Sequence, residues 1–246
     1  MKIGILETGE VAAELKGRHG DYPAMFAALL GALDPSLEFA TVRVVAGEMP
    51  AAPDQADAWL VTGSRHGVYD GLPWIEPLKA FLRACLAERV PVVGVCFGHQ
   101  ILAEALGGRV VKSDRGWGLG VQDYELTARL DWMTGLPDRF AVNALHQDQV
   151  VALPEGATVL ARSAHCDYAA LAYGDPDRPG ALTLQPHPEF GPEFMDELIA
   201  LRAGTAFPLE AAAEARASLG REIHAEAWAR MIVDFLHLAA ADRTAP

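Results

Sequence analysis

The chain has 246 residues, of which 51% are hydrophobic and 22% are charged, and its formal net charge is −13. This composition is ordinary for a globular enzyme and too apolar for a disordered chain, and the length fits one large domain, residues 1–246, better than two independent units. The negative charge excludes nucleic acid and anionic membrane surfaces as expected partners, because both would repel the chain.

The start of the chain and its three cysteines indicate where the protein works. The first apolar run, Lys2–Leu6, is too short for the core of a signal peptide, and no run reaches the length of a membrane span. Cys85, Cys96 and Cys166 form an odd, sparse set without metal-ligand spacing, which argues against a disulfide framework and a metal site. We therefore expect a cytoplasmic protein with a free thiol and no cofactor.

Short apolar runs typical of strands alternate with segments of helical periodicity along most of the chain. Strands are predicted at Lys2–Leu6, Ala40–Val45, Ala58–Thr62, Val90–Val95, Thr158–Ala161 and Ala181–Gln185, and helices at Pro23–Leu33 and Ile75–Glu88. This alternation predicts an α/β fold with a mostly parallel central sheet flanked by helices.

Two further regions depart from that alternation. Residues 109–151 are richer in β-formers and turns, and they predict a small antiparallel extension of the sheet, with strands at Val110–Lys112, Val121–Leu126 and Val142–Leu145. After Phe190 the composition becomes helical, which predicts a helical C-terminal extension over about residues 191–246, with helices at Pro192–Ala203, Leu209–Leu219 and Ile223–Ala241.

The sharpest motif surrounds Cys96. A β-branched run leads into Gly94-Val95-Cys96-Phe97-Gly98, and an apolar helix follows. In a Gly-x-nucleophile-x-Gly turn the nucleophile occupies a strained strand-to-helix corner, where side chains at the glycine positions would collide with neighbouring backbone. The adjacent helix N-terminus favours a thiolate. We predict Cys96 as the nucleophile, whereas Cys85 lies within an apolar helix and has no glycine frame. Cys166 stands in His165-Cys166-Asp167, and these three cannot converge as a triad because adjacent residues on an extended chain point to opposite faces.

A base and an orienting carboxylate are predicted just after the last strand. His187 and Glu189 are two residues apart, and Pro186 and Pro188 are expected to hold this stretch extended, so that both side chains share one face. A neutral imidazole can take the thiol proton while a carboxylate fixes its tautomer. The predicted catalytic residues are therefore Cys96, His187 and Glu189.

These motifs resemble the class I, or triad, glutamine amidotransferases, a family that includes the glutaminase domain of GMP synthetase. The matching segments are GVCFGHQ at 94–100, Gly107-Gly108, PHPE at 186–189, VTGSRHGVYD at 61–70 and LHQDQV at 145–150. The resemblance covers roughly residues 1–190. It implies a flavodoxin-like sheet and hydrolysis of the glutamine side-chain amide through a γ-glutamyl thioester.

The resemblance also implies roles for residues around the nucleophile. Backbone N–H groups of Gly63 and Phe97 match the donors that hold the oxyanion, and such preorganised donors stabilise charge that develops only during the reaction. The expected substrate-binding residues are Gln100, Trp117, Gly118, His146, Gln147 and Asp148. Gly116-x-Gly118-x-Gly120 is not interpreted as a dinucleotide loop, because it follows no strand-to-helix turn.

The substrate stays open between L-glutamine and another γ-glutamyl compound. The chain has no Walker-type loop and no length for an ATP-dependent ammonia acceptor, so an acceptor would be a separate synthetase subunit. Alternatively, the Ala/Glu-rich tail resembles the helical ends of small stand-alone members, some of which look like γ-glutamyl peptidases that use water to release a γ-glutamyl group. A third, non-enzymatic hypothesis is a binding module that kept the pocket.

Overall fold

The computed structural model describes residues 1–244 and the side chains of residues 1–241, so the last two residues of the predicted domain lie outside it. The strands are β1 (Lys2–Leu6), β2 (Glu38–Val42), β3 (Ala58–Val61), β4 (Val92–Val95), β5 (Arg109–Lys112), β6 (Gly118–Leu126), β7 (Arg139–His146), β8 (Asp148–Ala152), β9 (Ala157–Ser163), β10 (Ala170–Asp175) and β11 (Arg178–Leu184). The helices are α1 (Ala13–His19), α2 (Tyr22–Leu33), α3 (Ile75–Ala87), α4 (Phe97–Ala105), α5 (Pro192–Arg202), α6 (Leu209–Ser218) and α7 (Ala225–Thr244). Within residues 1–244, no helix has the length and apolarity that crossing a membrane requires.

A nine-stranded mixed sheet forms the centre of the fold, in the order β2-β1-β3-β4-β11-β10-β9-β6-β7. The strands from β2 to β11 are parallel, and those from β11 to β7 are antiparallel. The predicted α/β class is confirmed, but the antiparallel part is larger than predicted. Short connections such as the turn between β10 and β11 allow only antiparallel pairing, because a parallel crossover needs a dozen or more residues. Strands β5 and β8 form a separate two-stranded sheet.

Helices cover both faces of the parallel strands. Strands β3 and β4 are buried at every residue, which explains why their sequences are continuous apolar runs rather than alternating ones. One core cluster joins α2 and α7 to the sheet through side chains such as Phe26 and Phe235. A second cluster joins α3 and α4 to the other face through side chains such as Leu78 and Ile101.

A third apolar cluster lies at the carboxyl end of the parallel strands and is formed largely by the C-terminal extension. It brings Phe194 and Met195 of α5 and Ala215 of α6 against Leu119 of β6. Pro192 begins α5, where its missing N–H has no cost because that position lacks an intrahelical acceptor. The extension thus packs beside the end of the sheet at which α/β folds place their sites.

Several elements differ from the predicted ones. The strand expected at Ala40–Val45 is shifted, because β2 ends at Val42 and a 3₁₀ turn, Val44–Ala46, follows. Helix α1 escapes prediction because it buries only Leu15 and so carries no apolar periodicity. Strands β8 and β10 also escape prediction, since β10 is a short Ala-rich run with low β-propensity at several positions.

We propose that the helical extension belongs to the same domain, and its packing gives a stability prediction. Trp228 of α7 is fully buried and meets Phe140 of β7 edge-on, with ring centroids 5.0 Å apart. We expect Trp228→Ala to lower the free energy of unfolding by about 3–5 kcal/mol in urea titrations. The matched control is Leu209→Ala, because Leu209 is 70% exposed; its effect should stay within about 0.5 kcal/mol. Equal effects for both variants would contradict the proposal.

Candidate active site

Cys96 occupies a strained corner between β4 and α4. Its φ is +52° and its ψ is −100°, and Arg89 is the only other described non-glycine residue with a positive φ. A positive φ at a non-glycine residue costs free energy, and this conformation persists only where the surrounding structure holds it in place. Here the Cys96 N–H donates to the Leu184 carbonyl at 2.8 Å, and the Cys96 carbonyl accepts from the Gln100 N–H at 3.1 Å.

The two glycines around Cys96 are required by close backbone contact. A Cβ on Gly94 would stand 2.5 Å from the Gly98 carbonyl oxygen, and a Cβ on Gly98 would stand 2.4 Å from the Val61 carbonyl oxygen. Both distances are far below van der Waals contact, and the opposing atoms belong to backbone that cannot rotate away. The glycine frame therefore lets α4 start directly against β3 and β4, as the motif predicts.

The residues expected to form an oxyanion hole flank Cys96. Phe97 is the first residue of α4, where N–H groups lack intrahelical acceptors. Gly63 follows β3, and a Cβ built on it would lie 3.6 Å from the Cys96 Cβ and 2.9 Å from His187 Cε1. A side chain at position 63 would therefore press on the histidine. Gly63 is thus a neighbour of Cys96 in space, and Phe97 is its neighbour in the chain.

His187 and Glu189 form a buried pair beside Cys96. Nδ1 of His187 donates to Oε1 of Glu189 at 2.7 Å, and only 3% and 8% of the two residues is exposed. Nε2 of His187 makes no hydrogen bond of normal geometry within the described part of the chain. Burial lowers the pKa of His187, but the nearby charges of Glu189 and Cys96 and the hydrogen bond to Glu189 outweigh it and raise the pKa to about 10.

The backbone that carries this pair differs from the prediction. An extended segment was expected, but β11 ends at Leu184, and residues 187–190 form a turn in which the Phe190 N–H donates to the His187 carbonyl at 3.4 Å. The extended geometry is therefore wrong. Pro188 presets the backbone for the second position of such a turn, and the turn brings Glu189 back onto His187. The Phe190 ring then stacks on the imidazole, with centroids 4.1 Å apart.

Asn143 is a positioning residue that the sequence analysis misses. Its carbonyl accepts from the His187 N–H at 2.8 Å, and its Nδ2 donates to the Phe190 carbonyl at 2.8 Å. Asn143 is fully buried in β7 and thus clamps both ends of the turn. The sequence does carry one signal for this role, because Asn143 is the single polar residue within the apolar run Phe140–Leu145.

Tyr22 is a second residue that the sequence does not reveal. Its ring packs against Phe190, with centroids 5.7 Å apart. Burial and the nearby charges of Glu189 and Cys96 raise the pKa of the Tyr22 phenol above its ordinary value. The phenol therefore lies within electrostatic reach of both side chains, on an element distant from them in sequence.

Gln100 and Asp148 are tied to each other. Nε2 of Gln100 donates to the Asp148 carbonyl at 2.9 Å and to Gln185 Oε1 at 3.2 Å. Oδ2 of Asp148 accepts from the Tyr69 hydroxyl at 2.8 Å. The Gln147 carbonyl accepts from a backbone N–H of the 113–117 loop. Gln100 and Asp148 therefore connect α4 and β8 to the segment after β11 and to the loop after Gly63. The amide of Gln100 and the carboxylate of Asp148 already have protein partners.

The other residues expected to bind substrate lie around the start of β6. Trp117 packs edge-on against Phe207 of the C-terminal extension, with centroids 4.8 Å apart. Gly118 pairs with His146 across the β6–β7 ladder, and the His165 ring lies beside both. The Leu145 carbonyl is 3.9 Å from Cys96 Sγ, so this end of β7 adjoins the thiol.

The other cysteines and His99 fit structural roles. Burial raises the pKa of both the Cys85 and the Cys166 thiols to about 12, which disfavours their thiolates. His99 is fully buried, bonds the Thr183 hydroxyl at 2.8 Å, and has its pKa lowered to about 3 by burial. In the part of the chain with described side chains, no three His, Cys, Asp or Glu residues could together hold a metal ion.

Comparisons with known proteins identify the family of this chain. The family model described as glutamine amidotransferase class-I matches residues 42–202. A glutamine amidotransferase-like protein of Schizosaccharomyces pombe is 30% identical, over 82% of this chain and 85% of the relative. γ-Glutamyl peptidase 3 of Arabidopsis thaliana is 28% identical, over 75% of each chain.

Two further similarities concern part of the chain and the fold. The glutamine-hydrolysing GMP synthase of Thermomicrobium roseum is 44% identical over 42% of this chain, but the match spans 19% of the synthase. The crystal structure of a glutamine amido transferase from Methylobacillus flagellatus superposes with a TM-score of 0.76 at 22% identity, covering 96% of this chain and 94% of that one. A solved structure thus shares the α/β fold of this chain, for which a flavodoxin-like sheet was expected.

The raised pKa of His187 predicts a pH dependence. Its folded-state pKa lies above the ordinary value of about 6.5, so the protonated ring stabilises the fold fully below about pH 6.5, and this contribution is lost as the pH rises through about 10. Glu189→Gln removes the neighbouring charge, so we expect the pKa of His187 to fall, as measured by NMR titration of labelled histidine rings. Glu197→Gln, which removes the carboxylate 2.9 Å from His19 Nε2, is the control. An unchanged His187 titration in Glu189→Gln would contradict the assignment.

Proposed function

Because the chain belongs to the class-I glutamine amidotransferase family, we propose that it cleaves a γ-glutamyl amide bond with Cys96 as nucleophile, His187 as general base and Glu189 as its orienting carboxylate. The observation that carries this proposal is the buried 2.7 Å pair of His187 and Glu189 beside a cysteine in a strained, glycine-framed corner. The nucleophile comes from the corner between β4 and α4, whereas base and orienter come from the turn after β11, and Gly63 lies beside both Cys96 and His187. A nucleophile beside a base that a carboxylate orients is the arrangement that thioester chemistry requires.

The chemistry has two halves. The Cys96 thiolate attacks the amide carbon, and N–H groups of Gly63 and Phe97 stabilise the oxyanion that forms. Protonated His187 gives its proton to the departing nitrogen, the C–N bond breaks, and a γ-glutamyl thioester remains. Water then loses a proton to His187 and attacks the thioester, the C–S bond breaks, and glutamate leaves. The raised pKa of His187 supports this cycle, because the ring holds the proton that the leaving group needs.

L-Glutamine is the first candidate substrate, with glutamate and ammonia as products. The similarity to glutamine-hydrolysing GMP synthases supports it. Since this chain spans only about a fifth of those synthases, a separate ATP-dependent synthetase subunit would accept the ammonia. Cytoplasmic location is part of this proposal, because the thiol must stay reduced.

A stand-alone γ-glutamyl peptide or conjugate hydrolase is the second candidate, with an amino acid or peptide as the leaving group. The γ-glutamyl peptidases of Arabidopsis thaliana match this chain over about three quarters of their own length, which supports this candidate. The same three residues would serve either substrate. A non-enzymatic binding module is the weakest hypothesis, because a binding role does not need the buried ion pair.

The nucleophile can be tested directly. We expect Cys96→Ala to reduce hydrolysis by at least about 1,000-fold and to abolish labelling by an electrophilic glutamine analogue, detected by mass spectrometry. Cys166→Ala, which removes another buried thiol, should leave both readouts near those of the native protein. Native protein should be assayed with L-glutamine, γ-glutamyl dipeptides and glutathione, since the preferred donor identifies the leaving group. Undiminished hydrolysis by Cys96→Ala would refute the proposal.

A second test addresses the space around His187. Gly63→Ala would place a methyl group 2.9 Å from His187 Cε1, so we expect kcat to fall by about 10-fold or more, as expected when a catalytic group is displaced by about 1 Å. The control is Gly17→Ala in α1, where a Cβ meets nothing within 4 Å. Circular dichroism should show both variants folded. An unchanged kcat in Gly63→Ala would contradict this prediction, because His187 would then not need the space that the glycine leaves.

A further inference from the structure

Two aromatic rings border the His187 side of the proposed site. The Phe190 ring stacks on the His187 ring, and Tyr22 in turn packs against Phe190, with centroids 5.7 Å apart. In the proposed cycle His187 gives its proton to the departing nitrogen, so the leaving group lies on the His187 side. The residues expected to bind the γ-glutamyl part lie elsewhere, around the start of β6.

Gly9 brings the Tyr22 ring close to the loop after β3. A Cβ built on Gly9 would stand 2.8 Å from both the Gly63 carbonyl oxygen and Ser64 Cα, and 3.4 Å from Tyr22 Cε2. Gly63 also adjoins the histidine, since a Cβ built on it would lie 2.9 Å from His187 Cε1. The edge of the phenol ring and the imidazole therefore border the same short loop.

Two arginine side chains surround the phenol of Tyr22. Arg65 is an exposed residue of the loop after β3, and Arg202 is the half-buried last residue of α5. Burial and the charges of Glu189 and Cys96 raise the pKa of the Tyr22 phenol, and the charges of Arg202 and Arg65 oppose that rise. The phenol thus lies within electrostatic reach of the thiol and of both guanidinium groups.

The backbone that carries each arginine is held in place. Next to Arg65, the Ser64 hydroxyl donates to the Thr8 carbonyl at 2.7 Å. The Arg202 carbonyl accepts from three backbone N–H groups of the turn that ends α5, at 3.0 to 3.2 Å. Ala203 packs against the third apolar cluster, and the phenol ring packs against the same cluster. Two anchored segments, distant in sequence, therefore meet at the His187 side of the site.

The charges of the two arginines are not neutralised by the described part of the chain. Among the described side chains, no carboxylate oxygen lies within 4.0 Å of a guanidinium nitrogen of Arg65 or Arg202. The nearby carboxylate of Asp21 accepts from the Ala24 N–H at 3.0 Å and lies 3.9 Å from Lys16 Nζ. In a chain of net charge −13, two such cations beside a proposed active site favour an anionic ligand.

We propose that Arg65 and Arg202 bind a carboxylate of the leaving group, so that the substrate is a γ-glutamyl amino acid or peptide. This inference rests on the proposed function and selects its second candidate. The C–N bond breaks, the nitrogen takes the proton of His187, and the amino acid leaves with its carboxylate beside the arginines. A guanidinium presents planar N–H donors that match the two oxygens of a carboxylate. Ammonia, the leaving group of L-glutamine, offers no such contact.

The test compares two substrates that differ only in the leaving-group carboxylate, γ-glutamylglycine and γ-glutamylglycinamide. We expect native protein to favour the carboxylate member in kcat/KM by about 10-fold or more, as hydrogen bonds between charged groups do. Arg65→Gln and Arg202→Gln should each lower this ratio, mainly through KM, and the double variant should bring it near one. Arg65→Lys and Arg202→Lys, which keep the charge, should retain part of the preference.

The matched control is Arg162→Gln, because Arg162 pairs with Glu125 at 2.6 Å on the antiparallel half of the sheet. This variant should keep the native ratio. A merely structural role of Arg65 and Arg202 would lower the activity toward both compounds equally and leave the ratio unchanged. That result, or native protein that treats both compounds alike or prefers L-glutamine to γ-glutamylglycine, would overturn the carboxylate subsite.

Binding to Cys96→Ala separates this inference from the proposed function. Calorimetric titration of that variant with the same two compounds should show a preference for γ-glutamylglycine, which disappears when Arg65→Gln and Arg202→Gln are added. If native protein hydrolysed no γ-glutamyl compound but the titration showed the preference, the proposed chemistry would fail and the subsite would stand. If Cys96-dependent hydrolysis occurred but the titration showed equal affinities, the subsite would fail and the chemistry would stand.

Discussion

The corner at Cys96 is the constraint on which the rest of the site depends. A non-glycine residue at φ +52° is held there because Gly94 and Gly98 bring α4 into direct backbone contact with β3 and β4. The hydrogen bond from the Cys96 N–H to the Leu184 carbonyl fixes the corner to β11 as well. The strain is thus maintained by the most deeply buried strands, and the thiol has a fixed direction relative to the end of the sheet.

Strand order then determines what the thiol faces. Because β4 lies between β3 and β11, the segments that follow these two strands arrive on opposite sides of Cys96. One supplies Gly63, and the other supplies the His187 turn, which Asn143 of β7 clamps from the antiparallel half of the sheet. The antiparallel half therefore has a second role beyond packing, since it carries both the clamp and His146 beside Gly118.

Family membership and local geometry answer different questions about this protein. The family match and the 30% identical relative identify a class-I glutamine amidotransferase. Beside the site, the C-terminal extension places Phe207 on Trp117. The family model ends at residue 202, just before that contact. The segment that packs on Trp117 therefore lies outside the part of the chain that the family model matches.

The sequence by itself determined what depends on neighbours along the chain: the α/β alternation, the glycine frame of Cys96, and the short spacing of His187 and Glu189. Even for His187 and Glu189, the sequence predicted an extended segment where the structure has a turn with Pro188 at its second position. Proline is compatible with both conformations. Only the tertiary structure decided that Asn143 clamps that turn, that Gln100 binds Asp148 and Gln185, and that His165 meets His146 beside Gly118. These contacts join strands far apart in sequence, and their register is set by pairing and burial across the whole sheet, which no local pattern encodes.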